Sequence, residues 1–89
     1  MDRFEARLFS AQLRQDLPEL DLHGLYPNEA IDKIEPFLFV HAANNESTLK
    51  IIYGAGTGRL RAAVIDYLQR HPLVVTLHDQ GTNAFIFFD

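Results

Sequence analysis

Asp21 and His23 stand two residues apart in Leu20-Asp21-Leu22-His23-Gly24, an alternation that reads as a strand. Residues i and i+2 of a strand share a face. The carboxylate can therefore orient the imidazole through one nitrogen and leave the other free as acid, base or phosphate ligand. A solvent-exposed pair with no chemical task has the same spacing, and spacing alone leaves both readings open.

A second stretch bears on chemistry. The β-branched run Ile51-Ile52-Tyr53 meets Gly54-Ala55-Gly56-Thr57-Gly58, and a helical pattern begins at Arg59-Leu60-Arg61. Strand, glycine turn and helix in that order leave unpaired N–H groups at the positive end of a helix dipole, a place that suits phosphate. Thr57 is of the N-cap type. Arg59 and Arg61 in a first turn oppose the dipole unless an anion lies close by. The turn is not a nucleotide hydrolase loop, because no Gly-Lys-Ser/Thr follows. Nor is it the dinucleotide fingerprint, since Arg59 stands where the third glycine would fall. The competing explanation is a strand-to-helix turn that needs glycine only for its backbone.

The other candidates are weaker. His41 falls on the apolar stripe of a helix, and His71 precedes a proline at a helix end, where a cation suits the dipole. His78 closes a strand near the presumed rim and is kept as a secondary contact, with Tyr53 and Lys50 beside the turn. Asp21 and His23 would give a metal two ligands, but no third has a telling spacing. The cofactor stays unknown: Mg²⁺ is compatible with the chemistry, and no site for it is evident. Ser10 and Ser47 read as helix and loop, which disfavours a Ser-His-Asp apparatus. Phe85, Phe87 and Phe88 could stack bases, although a strand facing a core explains them more simply.

Those residues need a scaffold to position them. Eighty-nine residues suit one small domain, and the absence of cysteine leaves burial to hold it together. That absence permits a cytoplasmic location, the expected one; no run approaches the length of a membrane span. The net charge of −4 disfavours a broad basic groove. Residues 1–49 nevertheless hold four basic and nine acidic side chains, whereas residues 50–89 hold four and three. Three of the latter basics (Lys50, Arg59, Arg61) flank the glycine turn, which fits a local phosphate site.

Helical spacing places Phe4, Leu8, Ala11 and Leu13 near one side of a segment over residues 2–16, ended by Leu17-Pro18. A second helix starts at Pro27 and carries Ala30, Ile31, Ile34, Phe37, Leu38 and His41, with a kink expected at Pro36. The third runs on from Arg59, and Leu73–His78 and Ala84–Phe88 read as strands about a hairpin loop. The predicted class is α/β, an α+β-like two-layer sandwich: an N-terminal helix, then βαβαββ in a four-stranded mixed sheet with helices mainly on one face. Residues 1–17 form a helical extension that docks, and residues 18–89 the domain. Asp21 and His23 then fall on the partly open face, near the rim where sites of open α/β sheets gather.

Leu20-Asp21-Leu22-His23-Gly24, Pro27-Asn28-Glu29-Ala30 and Ile51 through Arg61 together resemble the Smr (small MutS-related) domain. That family is marked by Leu-Asp-x-His-Gly and, further on, by a Gly-x-Gly-Thr-Gly turn opening a helix. The resemblance implies a fold similar to the C-terminal domain of translation initiation factor three. It also implies DNA or RNA as partner and, in many members, structure-preferring nicking of phosphodiester bonds. Asp21 and His23 would be the catalytic or substrate-orienting pair. Gly54, Gly56, Thr57 and Gly58 would bind phosphate with Arg59 and Arg61. Two positions depart from the pattern: Tyr53 where histidine is frequent, and Ala55 where lysine or arginine is. A non-catalytic nucleic-acid-binding or adaptor module is the alternative. Oligomeric state is not legible.

Overall fold

Each helix begins and ends for a local reason. Asp2 caps the first, accepting the Glu5 N–H at 2.7 Å, and this helix, α1, spans Arg3–Leu13. In the computed structural model, which describes residues 2–88, there follow β1 (Glu19–Asp21), α2 (Pro27–Ala43), β2 (Thr48–Ile52), α3 (Arg59–Arg70), β3 (Thr76–Asp79) and β4 (Asn83–Phe87). Pro27 sits at the start of α2, where its missing N–H costs nothing. Pro36 lies inside α2, which continues through it as one helix because Ile34 and Leu38 are both fully buried on its inner side.

The sheet order is β1-β2-β4-β3, with β1 parallel to β2 and β4 antiparallel to both β2 and β3. The last hairpin thus returns its strand to the centre. Composition accounts for this: Ala84, Phe85, Ile86 and Phe87 are all buried, as a strand covered on both faces requires, while the edge strand β3 is only half-buried. The strand expected over Leu73–His78 is shorter, and starts at Thr76.

One face of the sheet carries Leu49, Ile51 and Ile86 against Ala30, Ile34 and Leu38 of α2 and Val64 and Leu68 of α3. The other face is less open than a two-layer sandwich implies. There α1 packs Ala11, Phe4 and Leu8 over Phe85 and Phe87. The Phe4 ring meets Phe87 edge-on at 5.7 Å, and Arg7 lies 4.8 Å over the same ring while donating to the Phe88 and Ser47 carbonyls. The exception is Leu13, expected on the docking side but 67% exposed. The helix ends there, and the chain turns away towards Leu17, which is buried instead. The three phenylalanines of the C-terminal segment are core residues, as the simpler explanation held.

Candidate nucleic-acid interface

Pairing of Asp21 with Ile52 puts its side chain on the face turned away from α2 and α3. The strand ends at Asp21, so His23 owes its position to a turn and not to strand alternation. Asp21 Oδ1 accepts the His23 backbone N–H at 3.1 Å and lies 2.6 Å from His23 Nδ1. A carboxylate that binds both the main chain and the ring two residues on fixes the imidazole from two directions. The hydrogen bond from His23 is the chief cause of a lowered Asp21 pKa, so this carboxylate is ionised at neutral pH and can only accept. Nδ1 therefore carries the proton shared with Asp21, and Nε2 lies outside that bond. The His23 side chain is 69% exposed.

The glycine turn begins against this histidine. Gly54 has φ +79°, and a Cβ there would come 3.1 Å from His23 Cβ. Glycine is needed at this position twice over, for the backbone and for the approach. The Gly54 N–H donates to the Thr82 carbonyl at 2.8 Å, as does the Tyr53 N–H at 3.0 Å. Gly54 thus shapes the turn but has no donor to give an anion, which corrects one part of the expected cradle. Among the described residues, the amides of Ala55, Gly56, Thr57, Gly58, Leu60 and Arg61 have no protein acceptor. The residue before α3 is Gly58 in the left-handed region (φ +87°), so Gly58 and not Thr57 holds the N-cap position. Thr57 Oγ1 accepts the Arg59 N–H at 3.4 Å, a long contact.

Around these amides lies an open cavity of about 570 Å³, lined by Gly54–Gly58 with Leu60 and Arg61, by Gly24, Leu25 and Tyr26, and by Tyr53, Gly81 and Thr82. His23 stands at its edge, between Gly24 in the chain and Gly54 in space.

Asp79, which sequence reasoning placed in a hairpin loop without a task, underpins the turn. It accepts from Arg61 Nε at 2.9 Å, from Arg61 Nη2, from the Gly81 N–H at 2.8 Å and from the Tyr53 hydroxyl. Arg61 above all holds the Asp79 pKa down to about 2. Burial, then the hydrogen bond to Asp79, drives the Tyr53 pKa upward. Tyr53 is 1% exposed, with its oxygen 2.8 Å from the Asn83 carbonyl, so its ring braces the turn while the residue forms part of the cavity lining. Arg61 lines the cavity but spends Nε and Nη2 on Asp79. Arg59 is exposed and makes no ion pair among the described residues. The signal for Asp79 was its place at a strand end facing Arg61, which needs the fold to be seen.

Two expected secondary contacts lie elsewhere. Glu19, Lys50, Phe85 and His78 form one cross-strand row on the face that bears α1. There Lys50 Nζ lies 3.8 Å from Glu19 Oε2 and 5.9 Å over the Phe85 ring. Neither Lys50 nor His78 lines the cavity. Among the described residues no three His, Asp or Glu side chains gather to hold a metal ion, and no helix is long and apolar enough to cross a membrane.

The family model for the Smr domain matches residues 20–84, a span that holds Asp21, His23 and the glycine turn. The chain belongs to the Smr domain family. It is 44% identical over 66 residues to endonuclease MutS2 of Halalkalibacterium halodurans, covering 74% of this chain and 8% of that protein. With endonuclease MutS2 of Thermus thermophilus it shares 36% identity over 69 residues, 78% of this chain and 9% of the relative. The chain therefore spans less than a tenth of the curated relatives it matches. The crystal structure of the Smr domain of Thermus thermophilus MutS2 superposes with a TM-score of 0.77 at 30% identity, covering 82% of this chain and 99% of that one. The solution structure of the SMR domain of NEDD4-binding protein 2, at 24% identity, shares the fold with a TM-score of 0.66 over 85% and 90% of the two chains. These superpositions show that the fold is shared with both Smr domains.

Proposed function

We propose that this Smr domain binds DNA or RNA through a backbone phosphate at the Gly56–Arg61 amides and nicks the phosphodiester with His23 as general base. The observation that carries this reading is the contact between an exposed, Asp21-oriented His23 and Gly54 at the head of those amides. Phosphate oxygens accept from the free N–H groups at the positive end of α3, with Arg59 adding charge. The same donors stabilise the negative charge that grows as the pentacovalent transition state forms. Nε2 of His23 removes a proton from the water whose oxygen bonds to phosphorus, one P–O ester bond breaks, and the imidazolium, stabilised by Asp21, returns the proton to the leaving nucleoside oxygen. A divalent ion such as Mg²⁺ would supply further charge neutralisation. Among the described residues, Asp21 and His23 would help to hold it, and no step is assigned to it. Relatives named endonuclease MutS2 support a nuclease.

Supercoiled plasmid and a branched DNA, incubated with the wild-type chain and with His23→Ala, test this directly. Nicks that appear with the wild type and disappear with His23→Ala support the nuclease. Equal nicking by both proteins removes His23 from catalysis.

The second reading is a module that binds nucleic acid and leaves it intact. Two observations favour it: the Arg61 guanidinium is largely committed to Asp79, and Tyr53, standing where a histidine is frequent in the family, is buried. It predicts salt-sensitive binding with no nicking by either protein.

A further inference from the structure

Two unlike chain segments bank the cavity: the glycine turn with its unpaired amides, and Gly24, Leu25 and Tyr26. A phosphate alone needs only the first bank. Tyr26 is 75% exposed, although large aromatic side chains usually bury much of their surface. No hydrogen bond in the protein uses its hydroxyl among the described residues, and it packs into neither apolar core. Its backbone, in contrast, is held firmly. The Tyr26 N–H donates to Glu29 Oε1 at 3.0 Å, its carbonyl accepts the Ala30 N–H at 3.0 Å, and Pro27 follows with a ring-fixed φ. The ring is thus carried on a rigid mount at the same open space of about 570 Å³ that the anion-seeking amides line. That volume is within the range of sites that take a nucleotide-sized ligand.

Resting on the nucleic-acid reading above, we propose that Tyr26 is a stacking platform for an unpaired base, and that the preferred ligand is therefore single-stranded or locally unpaired nucleic acid and not intact duplex. A base in a duplex is already stacked on both faces and offers Tyr26 nothing, whereas a splayed base has a free π-face next to its own phosphate. The phosphate sits on the amides, and the base reaches the other bank. Stacking on a ring whose backbone is fixed loses little entropy on binding.

Fluorescence anisotropy with labelled single-stranded DNA, single-stranded RNA and blunt DNA duplex of one sequence, at low salt, tests the assignment in wild type, Tyr26→Ala, Tyr26→Leu and Tyr26→Phe. Wild type should bind a single strand more tightly than the duplex. Tyr26→Ala and Tyr26→Leu should weaken that binding about tenfold and leave any duplex binding within about twofold, while Tyr26→Phe keeps wild-type affinity. The ring is exposed, so the variants should melt like the wild type. Unchanged single-strand affinity in Tyr26→Ala, equal losses on both ligands, a wild-type preference for duplex, or full retention by Tyr26→Leu each overturns the platform while nucleic-acid binding stands. If the wild type binds none of the three probes, the nucleic-acid reading itself fails and the platform goes with it.

Discussion

His23 leans on the bare α-carbon of Gly54, so that a methyl group added there would come 3.1 Å from the His23 Cβ. This one contact ties the Asp21-anchored loop after β1 to the turn that opens α3. It makes the imidazole and the amide cluster parts of one rim. A methyl group at Gly54 should therefore be felt by the histidine as well as by the fold. Gly54→Ala is expected to cost about 1–3 kcal/mol of stability, from the left-handed backbone and the close contact together. It should also displace the His23 ring signals in an NMR spectrum. A urea melt and that spectrum check both halves; an unshifted His23 would mean that the contact does not position the ring.

The two arginines beside the turn should behave differently. Arg59 has no ionic partner among the described residues, so Arg59→Ala should leave stability within about 0.5 kcal/mol while lowering the slope of log affinity against log salt by about one. Arg61→Ala strips Asp79 of its chief partner and should lower stability more than Arg59→Ala does. Salt titrations and melts of both variants separate the two roles.

Asp79 makes the fold acid-sensitive in a defined window. Its folded pKa, about 2, lies below the ordinary carboxylate value of 3.8. A depressed carboxylate contributes stability that is present above the unfolded pKa and is lost as pH falls through the folded one. The contribution, on the order of 1–2 kcal/mol after allowance for partial solvent access, should therefore be present at pH 5 and fade between about pH 4 and pH 2. Urea melts across that range should show a steeper loss for the wild type than for Asp79→Asn, which carries no titrating group there.

The docking of α1 is equally open to trial. Phe87 is fully buried between the sheet and α1, meeting Phe4 edge-on with Arg7 above it. Phe87→Ala should cost about 3–5 kcal/mol. Phe4→Ala should cost less and increase protease cleavage between α1 and β1. Limited proteolysis followed by mass measurement reads out the second effect.

The element order, the mixed sheet and the rim location of Asp21, His23 and the glycine turn were all legible in the sequence. Alternation, helical spacing and the glycine cluster are local signals, and they carried that far. What stayed hidden depended on registers between distant strands. Only the insertion of β4 between β2 and β3 reveals that Lys50 and His78 share the α1 face with Phe85, neither of them lining the cavity. Only the same pairing brings Asp79 under Arg61 and Tyr53. His23 was placed correctly for a partly different reason: an aspartate-anchored turn, not the strand itself, sets its direction. Gly54, read as a donor, proved to be a spacer, because its N–H was already claimed by Thr82 some thirty residues away in the chain.

The central claim is that a phosphodiester sits on the amides before and within the first turn of α3, with His23 alongside. Titrating isotope-labelled protein with a short oligonucleotide, and following each backbone amide in a proton–nitrogen correlation spectrum, tests it most directly. The largest shifts should fall on Gly56, Thr57, Gly58 and Leu60, with the ring of His23 moving in step and the amides of α1 staying still. Shifts centred on α1 or on the Lys50–His78 row, with the glycine turn unmoved, would contradict it.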